Sequence, residues 1–152
     1  VIVTIGGNDA LTEMPTAQYA ERLQSVCSTI REYGAVPALQ TYYCPVYHEG
    51  IPGFRARFEA NMDAVRELSG GWGLPLIDQY AFFEPYYRSY PDDYAKLMRD
   101  WLHVNHLGNL AMGQYLSGCF GLPPLPVPED WAEAFDPLFE AMNAIADRRL
   151  HP

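Results

Sequence analysis

The sequence predicts an α/β domain built on a parallel sheet, and two observations lead to that prediction. Short apolar runs rich in β-branched residues alternate with longer segments whose apolar residues recur every three or four positions. Strands that alternate with helices in this way are typical of βαβ units, in which helices cover both faces of a parallel sheet. Hydrophobic residues make up 49% of the 152 residues, so a sizeable core is expected.

The chain is predicted to contain three strands and four helices. The strands lie at residues 1–5, 36–41 and 74–77, and the helices at 16–33, from 54 to a stop at Gly70 and Gly71, from about 105 to 117, and at 130–149. We predict an irregular segment over 79–101, because Pro85 and Pro91 interrupt it. Residues 1–121 are expected to form a partial domain. Residues 122–152 are expected to form a Pro-rich linker and a C-terminal helix that packs on or beside it.

Charge and composition exclude several classes of partner and cofactor. The chain has 10 basic and 19 acidic residues, and this net charge of -9 disfavours nucleic acid. No apolar run is long enough to span a bilayer. The three cysteines are widely spaced and form no CxxC pair, so neither a disulfide framework nor a structural zinc site is expected.

The first candidate site follows the first predicted strand directly. Gly6 and Gly7 allow a sharp turn and leave space for a ligand, and in open α/β sheets ligands bind beyond the carboxyl ends of the strands. Asn8 has a side-chain amide that can donate a hydrogen bond to an oxyanion, while Asp9 can accept backbone N–H groups and hold the turn. The alternative interpretation is an ordinary turn between a strand and a helix.

The second candidate site is Asp100 and His103, which precede the third predicted helix. A carboxylate three residues before an imidazole can accept the ring N–H. That bond fixes the tautomer and stabilises the imidazolium that forms when the other nitrogen takes a proton. The alternative is a surface aspartate beside a solvated histidine. His103 and His106 form an HxxH pair, for which solvated side chains are favoured over a metal site.

In this order the two segments resemble the SGNH/GDSL hydrolase family. Gly6, Asn8 and Asp9 are similar to its GxND block, and Asp100 and His103 to its DxxH block. The segment 104–108, with Asn105 and Gly108, looks like the family's entry into the following helix, although Val104 stands where proline is usual. The resemblance implies a three-layer α/β/α fold with a flavodoxin-like parallel sheet, whose N-terminal strands are missing from this sequence.

The resemblance also implies an ester hydrolase, of the esterase, lipase or carbohydrate deacetylase type, with a Ser-His-Asp mechanism. It implies that no metal and no cofactor take part. His103 is then the general base, Asp100 orients it, and Asn8 belongs to the oxyanion hole. The family's nucleophile lies in a GDS block, and none of the five serines of this chain stands in one. We therefore expect a missing N-terminal segment or a second chain to supply the serine and complete the sheet, and this chain alone to be inactive.

Residues near these motifs are candidates for binding the substrate, a small-molecule, carbohydrate or lipid ester. The candidates are Gly7, Tyr43, Tyr47 and Trp101. Gly7 leaves space for a ligand, and the three aromatic rings have polar tips that suit sugars and acyl chains. The aromatic residues between 80 and 94 are equally well explained as core. Two alternative functions remain open, an O-acyltransferase on the same scaffold and a non-catalytic SGNH-like binding module.

Overall fold

A computed structural model describes residues 1–47 and 50–150, and within it the chain forms two compact units. The first unit contains Val1–Tyr42 and Tyr47–Asp78. The second contains Tyr43–Val46 and everything from Gln79 onward. Each unit has its own core, and the segment 43–46 belongs to the second unit although the chain on both sides of it belongs to the first.

The first unit holds a three-stranded parallel sheet, which confirms the prediction of an α/β fold. Its strands are β1 (Ile2–Val3), β2 (Ala38–Gln40) and β3 (Leu76–Ile77), in the spatial order β1-β2-β3. Val3 pairs with Leu39. The strands are shorter than predicted, at both ends for β1 and β2 and at the first end for β3.

Three helices complete the first unit, namely α1 (Gly7–Leu11), α2 (Thr16–Glu32) and α3 (Phe54–Trp72). The prediction of a stop at Gly70 and Gly71 is wrong, because α3 runs through both to Trp72 and is capped by Gly73. Gly73 has a φ of 62°, the left-handed conformation that commonly ends a helix. Glycine inside a helix costs only about 1 kcal/mol, which the buried face of α3 can offset.

The core of the first unit lies where α2 and α3 pack on the strands. Strands β1 and β2 contribute Val3 and Leu39, and the other buried members of the cluster are Tyr19, Leu23, Cys27, Ala64, Val65, Leu68 and Leu74. These residues repeat at helical spacing in α2 and α3, as the sequence predicted. The core therefore anchors the strand ends, from which the loop to α1 departs.

The second unit is helical throughout most of its length. Its helices are α4 (Gln79–Ser89), α5 (Pro91–Ala95), α6 (His106–Cys119) and α7 (Glu129–Leu150). The third and fourth predicted helices are thus confirmed as α6 and α7. The irregular segment predicted over 79–101 is wrong where α4 and α5 form, whereas residues 96–101 are irregular as predicted. Pro91 stands at the start of α5, where its missing N–H is no loss, and Pro85 lies inside α4.

Burial explains why α4 forms in spite of Pro85. The aromatic residues of α4 and α5 that are almost completely buried are Tyr80, Phe82, Phe83, Tyr86 and Tyr94. Phe82 stacks on Tyr115 of α6 with ring centroids 4.6 Å apart. These rings are therefore core residues, and their packing outweighs the hydrogen bond that a proline cannot donate.

Within the described residues, no helix is both long and apolar enough to cross a membrane. The flavodoxin-like strand order, a third layer, and the domain boundary at residue 121 stay predictions.

Candidate active site

Asp100 and His103 lie in a tight loop between α5 and α6. The two sides of the loop are joined by an antiparallel bridge between Met98 and Val104. The Arg99 amide donates to the carbonyl of His103 at 2.8 Å, which closes the loop. Asp100 and His103 are therefore held close together by the backbone of this loop.

The Asp100 carboxylate binds both the backbone and the ring of His103. Its Oδ1 accepts the amides of Leu102 at 2.9 Å and His103 at 2.8 Å. The ring Nδ1 of His103 lies 3.0 Å from each carboxylate oxygen. The backbone amides of His103 and Leu102, with the ring adding to them, lower the pKa of Asp100 well below its ordinary value.

This arrangement makes His103 a suitable proton acceptor. A carboxylate held in its ionised form accepts the Nδ1 proton, so Nε2 is the nitrogen left to take a proton from a nucleophile. The side chains of His103 and Asp100 are 55% and 38% exposed, so a substrate could reach the ring. The predicted pairing of Asp100 with His103 is therefore present in the structure.

Asn105 and Gly108 hold the loop against the start of α6. The Asn105 side chain caps α6 by accepting the amides of Leu107 at 2.9 Å and Gly108 at 3.1 Å, and its Nδ2 donates to the carbonyl of Lys96 at 2.7 Å. A Cβ at Gly108 would lie 2.3 Å from the carbonyl oxygen of Leu97. Only glycine therefore allows the helix to approach this closely.

Asn8 lies in the first unit, in the short helix α1. Gly6 precedes this helix with a φ of 122°, and a Cβ there would lie 2.9 Å from the Tyr19 hydroxyl. A Cβ at Gly7 would lie 3.1 Å from the ring of Tyr42. The chain can make this turn because both positions are glycine, and it leaves Asn8 exposed on the surface of its unit.

Asp9 holds the turn differently from the prediction. In the described part of the chain its hydrogen bonds use the backbone carbonyl, which accepts from the Thr12 hydroxyl at 3.1 Å and the Met14 amide at 3.2 Å. The charge of its carboxylate instead affects the ionisation of the Tyr42 hydroxyl. Burial raises the pKa of Tyr42, and the negative charge of Asp9 raises it further.

Comparison with known proteins identifies the family. The sequence profile of the GDSL-like Lipase/Acylhydrolase family matches residues 1–111, which include both motifs. The chain belongs to this family. No curated protein and no solved structure matched the chain. Membership agrees with the α/β fold and indicates a hydrolase of small-molecule esters in general terms.

Beside the histidine loop of this GDSL-family chain, the segment 43–46 packs within the second unit. The Val46 amide donates to the carbonyl of Trp101 at 2.8 Å, and the Tyr43 hydroxyl donates to that of Leu102 at 2.7 Å. An open depression of about 280 Å³ lies here, lined by Val46, Ala95, Met98, Arg99, Asp100 and Trp101. The loop that carries Asp100 and His103 is thus supported by the segment 43–46.

The four predicted substrate-binding residues have different surroundings. Tyr43 is buried and Trp101 is half-buried beside the depression, both within the second unit. Gly7 is buried in the first unit. Tyr47, also in the first unit, packs against Phe54 and has the Arg55 guanidinium 4.7 Å from its ring centre. Tyr43 and Tyr47 therefore have structural contacts, and substrate binding by all four stays a prediction.

Each of the five serines lies in a helix of the described structure. Ser25 and Ser28 lie within α2, and Ser89 is the last residue of α4. Ser69 is buried in α3 and donates its hydroxyl to the carbonyl of Leu74 at 2.8 Å, while Ser117 is buried in α6. The hydroxyl of Ser69 is therefore already engaged in the core.

Of the other histidines, the described residues include His106. Across residues 1–47 and 50–150, no group of three or more His, Cys, Asp or Glu side chains is placed to hold a metal ion. His106 is exposed at the start of α6, with its ring centroid 4.7 Å from that of Trp131. His48 lies outside the described residues.

Two polar residues of α3 were missed by the sequence reading. Asn61 donates from Nδ2 to the carbonyl of Gly6 at 3.1 Å, and Arg57 donates from Nε to that of Ala10 at 2.9 Å. A signal was present in the sequence, because Asn61 interrupts the apolar stripe that begins at Phe54 and Phe58. A polar residue at a core position of a helix usually has a specific partner.

Proposed function

We propose that this chain carries the His-Asp pair and an oxyanion-hole residue of a serine ester hydrolase. The observation that supports it is the Asp100 carboxylate, which receives two backbone amides and lies 3.0 Å from Nδ1 of His103. That geometry fixes one tautomer of the imidazole before any substrate binds. Family membership supports the same chemistry at the level of ester hydrolysis.

In the proposed reaction a serine hydroxyl attacks the carbonyl carbon of a small ester. Nε2 of His103 takes the hydroxyl proton, and the side-chain amide of Asn8 donates to the oxyanion that forms. His103 then gives its proton to the departing alcohol. Water, deprotonated by the same nitrogen, attacks the acyl carbon and releases the acid, and His103 returns that proton to the serine oxygen. Asp100 stays ionised throughout and stabilises the imidazolium.

The serine nucleophile is proposed to come from polypeptide outside these 152 residues. None of the serines present lies in a GDS block, and the buried Ser69 already donates to a backbone carbonyl. The chain by itself should then lack the acyl-enzyme step, since the residues that remain can only assist a nucleophile.

The test is hydrolysis of a p-nitrophenyl acyl ester by the full-length protein and its variants. His103→Ala should lower kcat by at least about 10³, and Asn8→Ala by about 10²–10³, because one removes the base and the other an oxyanion donor. His106→Ala is the matched control, an exposed histidine three residues further along, and should retain full activity. An unchanged kcat in His103→Ala would refute the proposal.

A further inference from the structure

Helix α3 presents two polar side chains to the short helix that carries Asn8. Arg57 and Asn61 are four residues apart, so they lie on one face of α3. Asn61 is completely buried, among the apolar residues Phe58, Met62 and Val65 of the same helix. A buried amide in such surroundings needs an explanation in terms of what it binds.

The two side chains bind carbonyl groups on either side of Asn8. Asn61 donates to the carbonyl of Gly6 at 3.1 Å, two residues before Asn8. Arg57 donates to the carbonyl of Ala10 at 2.9 Å, two residues after it. Helix α1 has only five residues, too few to be stable alone, so these contacts help to fix its position.

Burying Asn61 costs the fold free energy. Arg57 makes further contacts, from Nη1 to the carbonyl of Pro52 at 3.2 Å and from Nη2 to the Glu13 carboxylate at 3.9 Å. Among the described residues, Oδ1 of Asn61 and Nη2 of Arg57 are buried without a hydrogen-bond partner. Rotating the Asn61 amide would not help, because its oxygen would then face the carbonyl oxygen of Gly6. A buried polar atom without a partner destabilises the folded state, so an apolar residue of the same size would serve the core better than Asn61.

We propose that Asn61 and Arg57 are positioning residues, which hold α1 from α3 and thereby orient the side-chain amide of Asn8. The proposal rests on the proposed role of Asn8 as an oxyanion donor. A donor acts in catalysis only when it is fixed in advance, since a freely moving amide must be ordered at the moment of reaction. Gly6 adds to the need for fixation, because glycine restrains its own backbone least.

The kinetic test compares Asn61→Leu and Arg57→Ala with the parent in the full-length protein, using a p-nitrophenyl acyl ester. Each variant should lower kcat by about tenfold or more with KM changed by less than about twofold, because an angstrom of misplacement can cost up to about 10² in rate. Asn61→Leu should retain the melting temperature of the parent. Arg22→Ala, an exposed arginine on α2 of the same unit, is the control and should retain kcat.

A double-variant cycle distinguishes positioning from general damage. If Asn61 acts through Asn8, then Asn61→Leu should lower kcat no further once Asn8→Ala is present. An equal fall in both backgrounds would overturn the proposal, as would an unchanged kcat in Asn61→Leu alone. If Asn8→Ala by itself leaves kcat unchanged, the oxyanion role proposed for Asn8 fails instead.

Hydrogen exchange tests, without an activity assay, whether Asn61 and Arg57 hold α1 in place. The Ala10 amide donates to Gly6 at 3.1 Å, the same carbonyl that Asn61 binds. Its exchange should become at least about tenfold faster in Asn61→Leu and in Arg57→Ala, while amides inside α3 keep their rates. Unchanged exchange at Ala10 in both variants would show that the two side chains do not hold α1, whatever the kinetics.

Discussion

Replacing Gly108 with alanine should destabilise the second unit and disturb the His103 loop. The added Cβ would lie 2.3 Å from the carbonyl oxygen of Leu97 and 2.7 Å from Cβ of Val104. Ordinary contact lies near 3.5 Å, so the carbonyl must retreat by about 1 Å. That carbonyl also accepts the Asn105 amide at 2.9 Å, and such a retreat would weaken this bond.

The magnitude follows from these contacts. Overpacking of a tight site costs about 1–3 kcal/mol, and a weakened hydrogen bond about 0.5–1.5 kcal/mol. Alanine recovers about 0.5–1 kcal/mol of helix propensity relative to glycine. The net loss is therefore about 2 kcal/mol, which lowers the melting temperature by roughly 4–8 °C in a chain of this length.

Thermal unfolding followed by circular dichroism measures this change, and ester hydrolysis by the full-length protein measures its effect on His103. We expect kcat to fall with the melting temperature, because the moved segment closes the loop that holds the imidazole. Gly118→Ala is the control on the same helix. Its Cβ would meet nothing within 4 Å, so it should gain up to about 1 kcal/mol. A Gly108→Ala protein as stable as the parent would refute the reasoning.

Four further results are expected. Asp100→Asn should lower kcat for ester hydrolysis by up to about 10⁴, because an amide nitrogen cannot accept the Nδ1 proton of His103. The difference in the free energy of unfolding between Asp100→Asn and the parent, measured in urea, should narrow below about pH 4. The folded state lowers the pKa of Asp100, so the ionised carboxylate stabilises the fold above the ordinary carboxyl pKa, and this stabilisation is lost as pH falls. Gly71→Ala should raise the melting temperature, since its Cβ would meet nothing within 4 Å in α3. Tyr43→Phe should lower the free energy of unfolding in urea by about 1 kcal/mol, because the carbonyl of Leu102 loses a 2.7 Å hydrogen bond.

Local spacing made part of the site predictable from the sequence. Asp100 and His103 are three residues apart, and a tight loop of any kind would bring them together. Asn105 and Gly108 were predicted at the entry to a helix, and Asn105 is the cap of α6. The reason that position 108 requires glycine was not predictable, because it depends on the backbone of Leu97, eleven residues away.

Tertiary packing decided the elements that the sequence reading missed. Prolines at 85 and 91 indicated an irregular segment, yet α4 and α5 form there because five of their aromatic rings fill the core of the second unit. Gly70 and Gly71 indicated a helix end, yet α3 continues until Gly73 adopts the left-handed conformation. In each case local preference was overcome by burial, which a single sequence expresses only weakly.

The contacts of Asn61 and Arg57 show a different limit. Their partners, the carbonyls of Gly6 and Ala10, belong to the backbone and therefore leave no trace in the sequence. The spacing did place Asn61, a polar residue, in the apolar stripe of α3, and a polar residue at such a position indicates a specific buried partner. The identity of its partner required the fold.

The segment Tyr43–Val46 makes the second unit discontinuous along the chain. No single break in the chain separates the two units. A fragment that begins at Gln79 would lack the segment Tyr43–Val46, which binds Trp101 and Leu102. The Tyr43 contact to Leu102 joins residues 59 positions apart, and Tyr94 reaches Cys44 across 50. Both contacts require a long loop to close, and closure of this kind slows folding. The loop that holds His103 is therefore expected to fold late. It can take its final form only after residue 102 has been synthesised and the segment Tyr43–Val46 has packed against it.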